Sequence, residues 1–471
     1  MRLKRFIASA MVAVLAVSVT ACGGKDEKKE ENDVERSEYA FEEERDINIG
    51  VYQDMYYDSS HSSVEDNPNV TDRDTAQMQL DHVRDAEEKF NCKFYYKNLT
   101  WEGIIDSINT SIMSGSPDCD IYDCSLSYGL PAILNGQAQA LEDFIEADND
   151  VFTDMKKMQS LNLLDMDKTY FFASSGGVNT QAWGLCFNMD IVCKERGLEN
   201  PQDVYDRGEW TWDKWEEYLD KCTFDRDGDG TTDVYGYGSV WTQTLNNLLM
   251  SNNTGIATSE KQSVDSKATM EVLTFIENIY NVKHIAKPWD DSDYMQNGRT
   301  WQDGLVAFWA AQHWMLSEGD IFNKDWELGI VPWPTGPSGN KDTNPTMNVG
   351  GDWDIIPQGI ENPRSVYEAY AYFRNWWGDD ATLVSDTTWA EDCFMTERNF
   401  NYIYEMSNSN RNCVDLWENL DSDFSLQPML LGEETSSQLA TAATQYIQSK
   451  LDSYLSGNVK AAEPTEEPAE Q

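Results

Sequence analysis

The sequence predicts an α/β protein of two lobes, each a mainly parallel sheet flanked by helices, with a hinge between them. Three observations lead to that class. From Asp46 onward short apolar strands alternate with helical patterns, the signature of strands joined through crossover helices. The chain has 471 residues. Without its polar ends roughly 415 remain, more than one hydrophobic core usually spans. A second series of strand and helix patterns begins near Trp183.

The chain opens on an export signal. Arg2, Lys4 and Arg5 precede an apolar run from Phe6 to Val19, followed by Thr20-Ala21-Cys22-Gly23. That run is about 14 residues, short of the roughly 20 a spanning helix needs. Residues 1–22 are assigned to the signal peptide. Residues 23–45 are crowded with Lys, Glu and Asp and read as a flexible tether, because they cannot bury enough apolar surface to offset their ordering entropy. The segment 459–471, rich in Glu and Pro, is the matching disordered tail.

Between these ends the elements follow one another closely. Ile47, Ile49 and Val51 alternate as a strand, and Ala76, Leu80, Val83 and Phe90 recur at helical spacing. Phe94 and Tyr96 mark a second strand. Ile104, Ile105, Ile108 and Ile112 share a helical face closed by Gly115 and Pro117. A third strand is expected at Asp120 to Asp123, with a helix from about Leu130 to Asn135. In parallel sheets ligands sit outside the carboxyl ends of the strands. The loops after Val51, Leu99 and Tyr122 are therefore the ones expected to carry a site, with Tyr52 and Gln53 ending the first strand. Further on, strands are expected at Trp183 to Asn188, Leu328 to Val331 and Asp354 to Pro357. Helices are expected at Trp212 to Cys222, Met270 to Tyr280, around Val366 to Phe373 and at Leu439 to Leu455.

Composition narrows the function. With 83 Asp and Glu against 35 Lys and Arg, the formal charge of −48 argues against nucleic acid and favours a neutral or cationic ligand. The eight cysteines beyond Cys22 show no two-residue zinc spacing; their even number permits disulfides, and buried thiols are the simpler expectation. The four histidines come with no nucleophile elbow, phosphate loop or metal pair, so no catalytic set is marked out.

Asp225-Arg226-Asp227-Gly228-Asp229-Gly230-Thr231-Thr232-Asp233 matches the first nine positions of a calcium loop. Carboxylates at alternate positions can converge on one ion, glycine permits the sharp turn, and position 7 offers its carbonyl. Asp225, Asp227, Asp229, Thr231 and Asp233 are the candidate ligands of a structural Ca2+. The departure is position 12, where Gly236 replaces the bidentate Glu. The competing reading is a solvated acidic turn.

Val19-Thr20-Ala21-Cys22 resembles the bacterial lipobox, which implies that Cys22 is acylated. The pieces Trp101-Glu102-Gly103, Ser114-Gly115-Ser116-Pro117, Asp120-Ile121-Tyr122, Gly208 to Trp215 and Val331-Pro332-Trp333-Pro334 follow in order. Together they resemble the family 1 extracellular solute-binding proteins of bacterial ABC importers, the group that includes maltose-binding protein, over most of the chain from Asp46 to about Ser456. The resemblance implies a periplasmic-binding-protein-like fold, with 46–183 and about 350–385 in lobe 1 and 184–349 and about 386–458 in lobe 2. It implies crossings near Trp183, near Gly350 and between about Ser385 and Phe400. It further implies a monomeric, non-enzymatic receptor, lipid-anchored at the extracellular face of the cell membrane, that captures a carbohydrate and delivers it to an ABC permease.

A sugar presents apolar C–H faces and polar hydroxyls, so its site needs aromatic platforms beside hydrogen-bonding groups. Seventeen Trp and 22 Tyr supply the platforms. Trp101, Trp183, Trp241, Trp314, Trp353 and Trp389 fall in or beside expected loops or crossovers, whereas Trp212, Trp215 and Trp376 fall on helical faces and read as core. The resemblance points to Trp314, after Ala307-Phe308-Trp309, as the first stacking candidate. Asp123, Asp352 and Asn348 are the hydroxyl-bonding candidates. The rival readings are a lyase or glycosidase, which needs two flanking carboxylates, a calcium-dependent surface adhesin, and a receptor for a non-sugar ligand.

Overall fold

The computed structural model describes residues 35–70, 72–163, 166–290, 298–317, 325–340, 348–385, 387, 393–408, 413–420 and 424–455. Cys22 with the signal segment, most of the tether, Trp389 and the tail 459–471 lie outside the described residues. Among the described residues no helix is long and apolar enough to cross a membrane.

The first half contributes β1 (Arg45–Val51), α1 (Arg73–Phe90), β2 (Cys92–Asn98), α2 (Trp101–Ser111), β3 (Ile121–Ser125), α3 (Leu126–Leu134), β4 (Met158–Leu161) and β5 (Phe171–Ser174). Helix α1 starts where the Asp72 carboxylate accepts from the backbone N–H of Asp74 and Thr75, and it ends at Asn91, whose φ of 52° breaks the helical path. Its apolar positions Ala76, Leu80, Val83, Ala86 and Phe90 all lie on the buried face, at the spacing read from the sequence. The second half contributes β6 (Gly184–Asn188), α4 (Pro201–Asp206), α5 (Trp212–Lys221), β7 (Tyr235–Tyr237), α6 (Trp241–Ser251), α7 (Lys267–Glu277), α8 (Gly298–Gln302), β8 (Val306–Ala311), α9 (His313–Ser317) and β9 (Leu328–Val331). The chain then continues through β10 (Asp352–Ile355), α10 (Pro363–Arg374), α11 (Glu397–Ser407), α12 (Gln427–Leu430) and α13 (Ser436–Leu455).

Two sheets organise these elements, in the orders β2-β1-β3-β10-β5-β4 and β7-β8-β6-β9. The molecule is thus a two-lobed α/β protein, but its sheets are mixed rather than mainly parallel. β1 runs parallel to β2 and β3, as the alternating pattern predicts, while β10 is antiparallel to both β3 and β5. In the second sheet β7 and β8 are parallel, and β6 is antiparallel to β8 and β9. The reason is where the crossing chain enters. β6 follows directly on the segment after β5, and β10 follows directly on Val349–Gly351, so each begins at the end of its sheet where β1, β3 and β8 finish. A strand entering there can only run the opposite way.

Each sheet is covered on both faces. On one face of the first sheet, Ile47, Ile49, Val51, Ile121 and Phe172 pack with α1 and α10 through Val83, Phe90, Val366, Tyr370 and Phe373. The opposite face, with Tyr122, Cys124, Phe171, Trp353 and Ile355, joins a second apolar cluster that continues into the other lobe through Trp215, Tyr237, Leu245, Phe308 and Trp417. Trp212 and Trp215 are buried as the helical pattern predicts, while Trp376 lies beyond the end of α10 and is only half-buried. Six of the eight cysteines in the described residues are buried and all eight are free thiols.

Candidate ligand-binding cleft

The carboxyl ends of β1 and β3 in one lobe and of β8 in the other meet the crossover segments 175–183 and 348–351: Tyr52 bonds Asp352, Ser125 pairs with Asp352, and Gln312 Nε2 donates to Gln181 O. Packing between the crossovers is tight: Gly351 has φ of 85°, and a Cβ there would lie 2.2 Å from Gln181 Oε1. The positive φ favours glycine there, and the Gln181 amide closes over the bare Cα. Two cavities flank the crossovers. One, of about 300 Å3, is bounded by Trp101, Ser125, Trp183, Gln243, Gln312 and Glu418. The other, of about 620 Å3, is bounded by Gln53, Asp123, His313, Asp352, Asp354 and Arg374. Both take walls from the two lobes and from the crossovers between them.

Of the aromatic candidates, Trp101 opens α2, is 43% exposed and lines the smaller cavity. It is held edge-on by Tyr52, with ring centroids 5.0 Å apart, and tilted against Tyr128 at 4.8 Å. Trp314, on α9 just past β8, is 39% exposed, and its indole N–H donates to Gln312 Oε1 at 2.8 Å. Trp183 is half-buried at the wall of the smaller cavity, its carbonyl accepting from Trp333 Nε1 at 2.9 Å. Trp241 begins α6 rather than a loop and leans on Trp417 at 5.8 Å. Trp353 sits inside β10 with 8% exposure, its indole N–H donating to Gly350 O at 3.3 Å. Alternation along the strand turns it into the core, so it offers the cavity an edge and not a platform.

Among the polar candidates, Tyr52 donates its hydroxyl to Asp352 Oδ2 at 2.6 Å, tying the end of β1 to the start of β10. Gln53 and Asp123 line the larger cavity. Burial, partly offset by Arg374 and reinforced by Asp352, pushes the Asp123 carboxyl up to about 6. Asn348 lines the smaller cavity and also braces the crossover. Its side-chain amide donates to Asp415 O at 3.1 Å and its oxygen accepts from Asp415 N at 2.7 Å, which anchors the second crossover to the segment before Trp417.

Sequence reasoning did not reach several groups that line the cleft. Gln243, Asn246 and Asn247 come from the first turns of α6, where amides beside leucines read as an ordinary amphipathic helix. Glu418 accepts from Asn246 Nδ2 at 3.0 Å and is raised above the usual carboxylate range, chiefly by burial. Arg374, the last residue of α10, reaches the larger cavity, with a nitrogen 3.9 Å from Asp123 Oδ2. None of these has a motif that singles it out; helix packing brings them to the cleft. His313 lies at the same cavity with Nδ1 3.2 Å from Thr180 O, and burial lowers its pKa, which favours the neutral ring.

The acidic loop lies between α5 and β7, on the surface. Carboxylate oxygens of Asp225, Asp227 and Asp229 all lie within 4.8 Å of one another. The N–H groups of Gly230 and Gly228 donate to Asp225 at 2.7 and 2.6 Å and hold its carboxyl below the usual range. Asp229 Oδ1 accepts from Thr231 N at 2.7 Å, and Asp233 Oδ2 accepts from Arg226 N at 2.7 Å, so the Asp233 carboxylate is turned onto the loop backbone. A side-chain ligand at position 12 is sterically closed: a Cβ on Gly236 would lie 2.4 Å from Leu219 O.

Two lobes, two sheets and chain crossings at the strand ends define the fold of the ABC substrate-binding proteins. No family model matches the chain, and no curated protein matches it in sequence. Among solved structures it is similar to an ABC substrate-binding protein of Listeria monocytogenes in complex with cycloalternan. That match has a TM-score of 0.58 at 13% identity, covering 87% of this chain and 98% of that one. A cyclic α-maltosyl-1,6-maltose binding protein from Arthrobacter globiformis is similar at TM-score 0.57 and 16% identity, covering 86% and 98%. UgpB from Mycobacterium tuberculosis, in complex with glycerophosphocholine, matches at TM-score 0.57 and 15% identity over the same shares.

Proposed function

We propose that this chain is the extracellular receptor of an ABC importer and captures a carbohydrate, an oligosaccharide, in the cleft between its lobes. The observation that carries the reading is the exposed indole of Trp101 at a cavity that also carries the amides of Gln243, Asn246 and Asn247 and the carboxyl of Glu418. Flat apolar faces beside directional acceptors suit a pyranose ring. The solved structures of similar fold include two whose names record cycloalternan and cyclic α-maltosyl-1,6-maltose, which supports the class without fixing the sugar. The lipobox-like Val19-Thr20-Ala21-Cys22 supports a lipid anchor at the outer face of the membrane, leaving the lobes free to move a bound sugar to the permease. Thermal-shift screening against neutral, amino and acidic oligosaccharides tests the reading, because a ligand specific for the folded state raises its melting temperature. A panel with no shift refutes it, and cleavage of a bound glycan would replace it with the enzymatic one.

A second role is proposed for the loop Asp225–Asp233: it holds a structural Ca2+ through Asp225, Asp227 and Asp229, with the Thr231 carbonyl as a further ligand. The convergence of three carboxylates supports it. Hard oxygen donors at this spacing suit calcium, and the closed position 12 leaves water or another residue to complete the shell, so affinity should be modest.

A further inference from the structure

The larger cavity is charged in a way that binding a neutral sugar does not require. In the antiparallel pairing of β10 with β3, Asp354 stands directly opposite Asp123, and Asp352, two residues back on β10, faces the same side of the sheet. Like charges directly opposed across a sheet work against its stability, so the fold retains an arrangement that packing alone would not select. All three carboxylates line the cavity, and among the described residues lining it Arg374 is the one Lys or Arg. Three carboxyl groups and one guanidinium line it, and burial raises the pKa of all three carboxyls, Asp354 well above the usual value, so the negative charge rests chiefly on Asp123 and Asp352. Arg374 is itself shared, lying over the Tyr370 ring at 5.7 Å and 3.9 Å from Asp123. Asp354 accepts from the Tyr370 hydroxyl at 2.8 Å and Asp352 from Tyr52 at 2.6 Å, so a tyrosine fixes the orientation of each. Asp123 has no such partner and keeps 21% of its side-chain exposure, open to the cavity.

A second observation points the same way. A neighbouring cavity of about 260 Å3 shares Met55, Ser174, Gly176 and Arg374 with the first. It is walled by Tyr56, Tyr57, Tyr96, Phe373, Trp376 and Trp377. Carboxylates on one side and aromatic faces on the other form an environment that attracts an ammonium group and repels an anion. We infer that this end of the cleft is a subsite for an ammonium group, so that the ligand is a saccharide carrying an unacylated amine. The inference rests on the reading of the cleft as a saccharide site and narrows it.

Isothermal titration of the purified full chain against matched sugars separates the two. The probes are glucose, glucosamine, N-acetylglucosamine and galacturonate as monomers, with cellotetraose, maltotetraose, the glucosamine tetramer, its N-acetylated form and tetragalacturonate. The amine-bearing probe should bind roughly tenfold or more tighter than its neutral and acetylated counterparts. That margin should shrink with added salt, and Asp123→Asn or Asp352→Asn should bring the amine-bearing probe down to the affinity of its neutral counterpart measured on the same variant. Thermal melts of both variants establish that they remain folded. A neutral sugar that binds as tightly as every amine-bearing probe overturns the inference and leaves the saccharide reading standing. Preferred binding of galacturonate overturns it as well. If no probe of any charge binds, both fall together.

Discussion

Replacing Asp123 by Asn should stabilise the protein at neutral pH, although it removes one side of the contact with Arg374. Burial and the neighbouring Asp352 lift the folded-state pKa of Asp123 from 3.8 to about 6, against the pull of Arg374. Because the folded value lies above the unfolded one, the folded state holds a proton that the unfolded chain has released between about pH 4 and pH 6. Stability therefore falls as pH rises through that window. The penalty is absent below about pH 4 and complete above about pH 6. The gap corresponds to about 3 kcal/mol at most. The side chain keeps 21% of its exposure, so water relaxes part of that cost and about 1–3 kcal/mol is expected. The asparagine keeps the shape without the charge and should recover this amount at pH 7 and almost none at pH 4, read as the difference between urea-unfolding curves of variant and parent. Taking that difference cancels groups of raised pKa that Asp123 does not touch, such as Asp415 at about 6, while Asp354, raised in part by the Asp123 charge, adds to the gain. A variant less stable than the parent at pH 7 would mean that the Arg374 contact outweighs desolvation, and the reasoning from opposed charges would fail.

Three other outcomes follow from the cleft and the loop. Trp101→Ala and Trp314→Ala should each weaken oligosaccharide binding by roughly tenfold while shifting the melting temperature little, because both indoles are substantially exposed; unchanged affinity in calorimetry would remove that residue from the site. Gly351→Ala should cost about 1–2 kcal/mol in denaturant unfolding, since its φ of 85° disfavours a side chain, while the Gln181 amide is a flexible end that can turn aside. Chelation should lower the melting temperature and added Ca2+ restore it, with Asp227→Asn abolishing the response; an identical melt with and without Ca2+ would reduce the loop to an acidic turn.

The pattern of elements was legible because it depends on local spacing. Apolar positions of α1, α5, α10 and the core of α13 fell where the helical period put them, and β1, β2, β3, β6 and β9 were marked by their short apolar runs. The site was legible in part. Tyr52, Gln53, Trp101 and Asp123 follow from the strand-end rule once β1, β2 and β3 are placed. Trp353 shows the limit of that reasoning: it was expected at a crossover and lies within β10, where one residue of displacement turns a side chain from one face to the other. Asn348 reaches the smaller cavity as expected, but its bonds to the Asp415 backbone could not be read from the sequence.

The sequence by itself determined the strands and helices whose apolar period is regular, such as β1, β2, β3, α1, α5 and α10. It also determined that an acidic loop with three alternating carboxylates would form, because each of these is fixed by residues within a few positions of one another. Only the tertiary structure decided that β10 enters antiparallel between β3 and β5, since that depends on which end of the sheet the returning chain reaches. The same pairing sets Asp354, more than two hundred residues along the chain, opposite Asp123 and places Arg374 at their edge. Strand pairing is a long-range choice made by burial and geometry together. The charge of the cleft, and with it the chemistry of the ligand, is written there and not in any local motif.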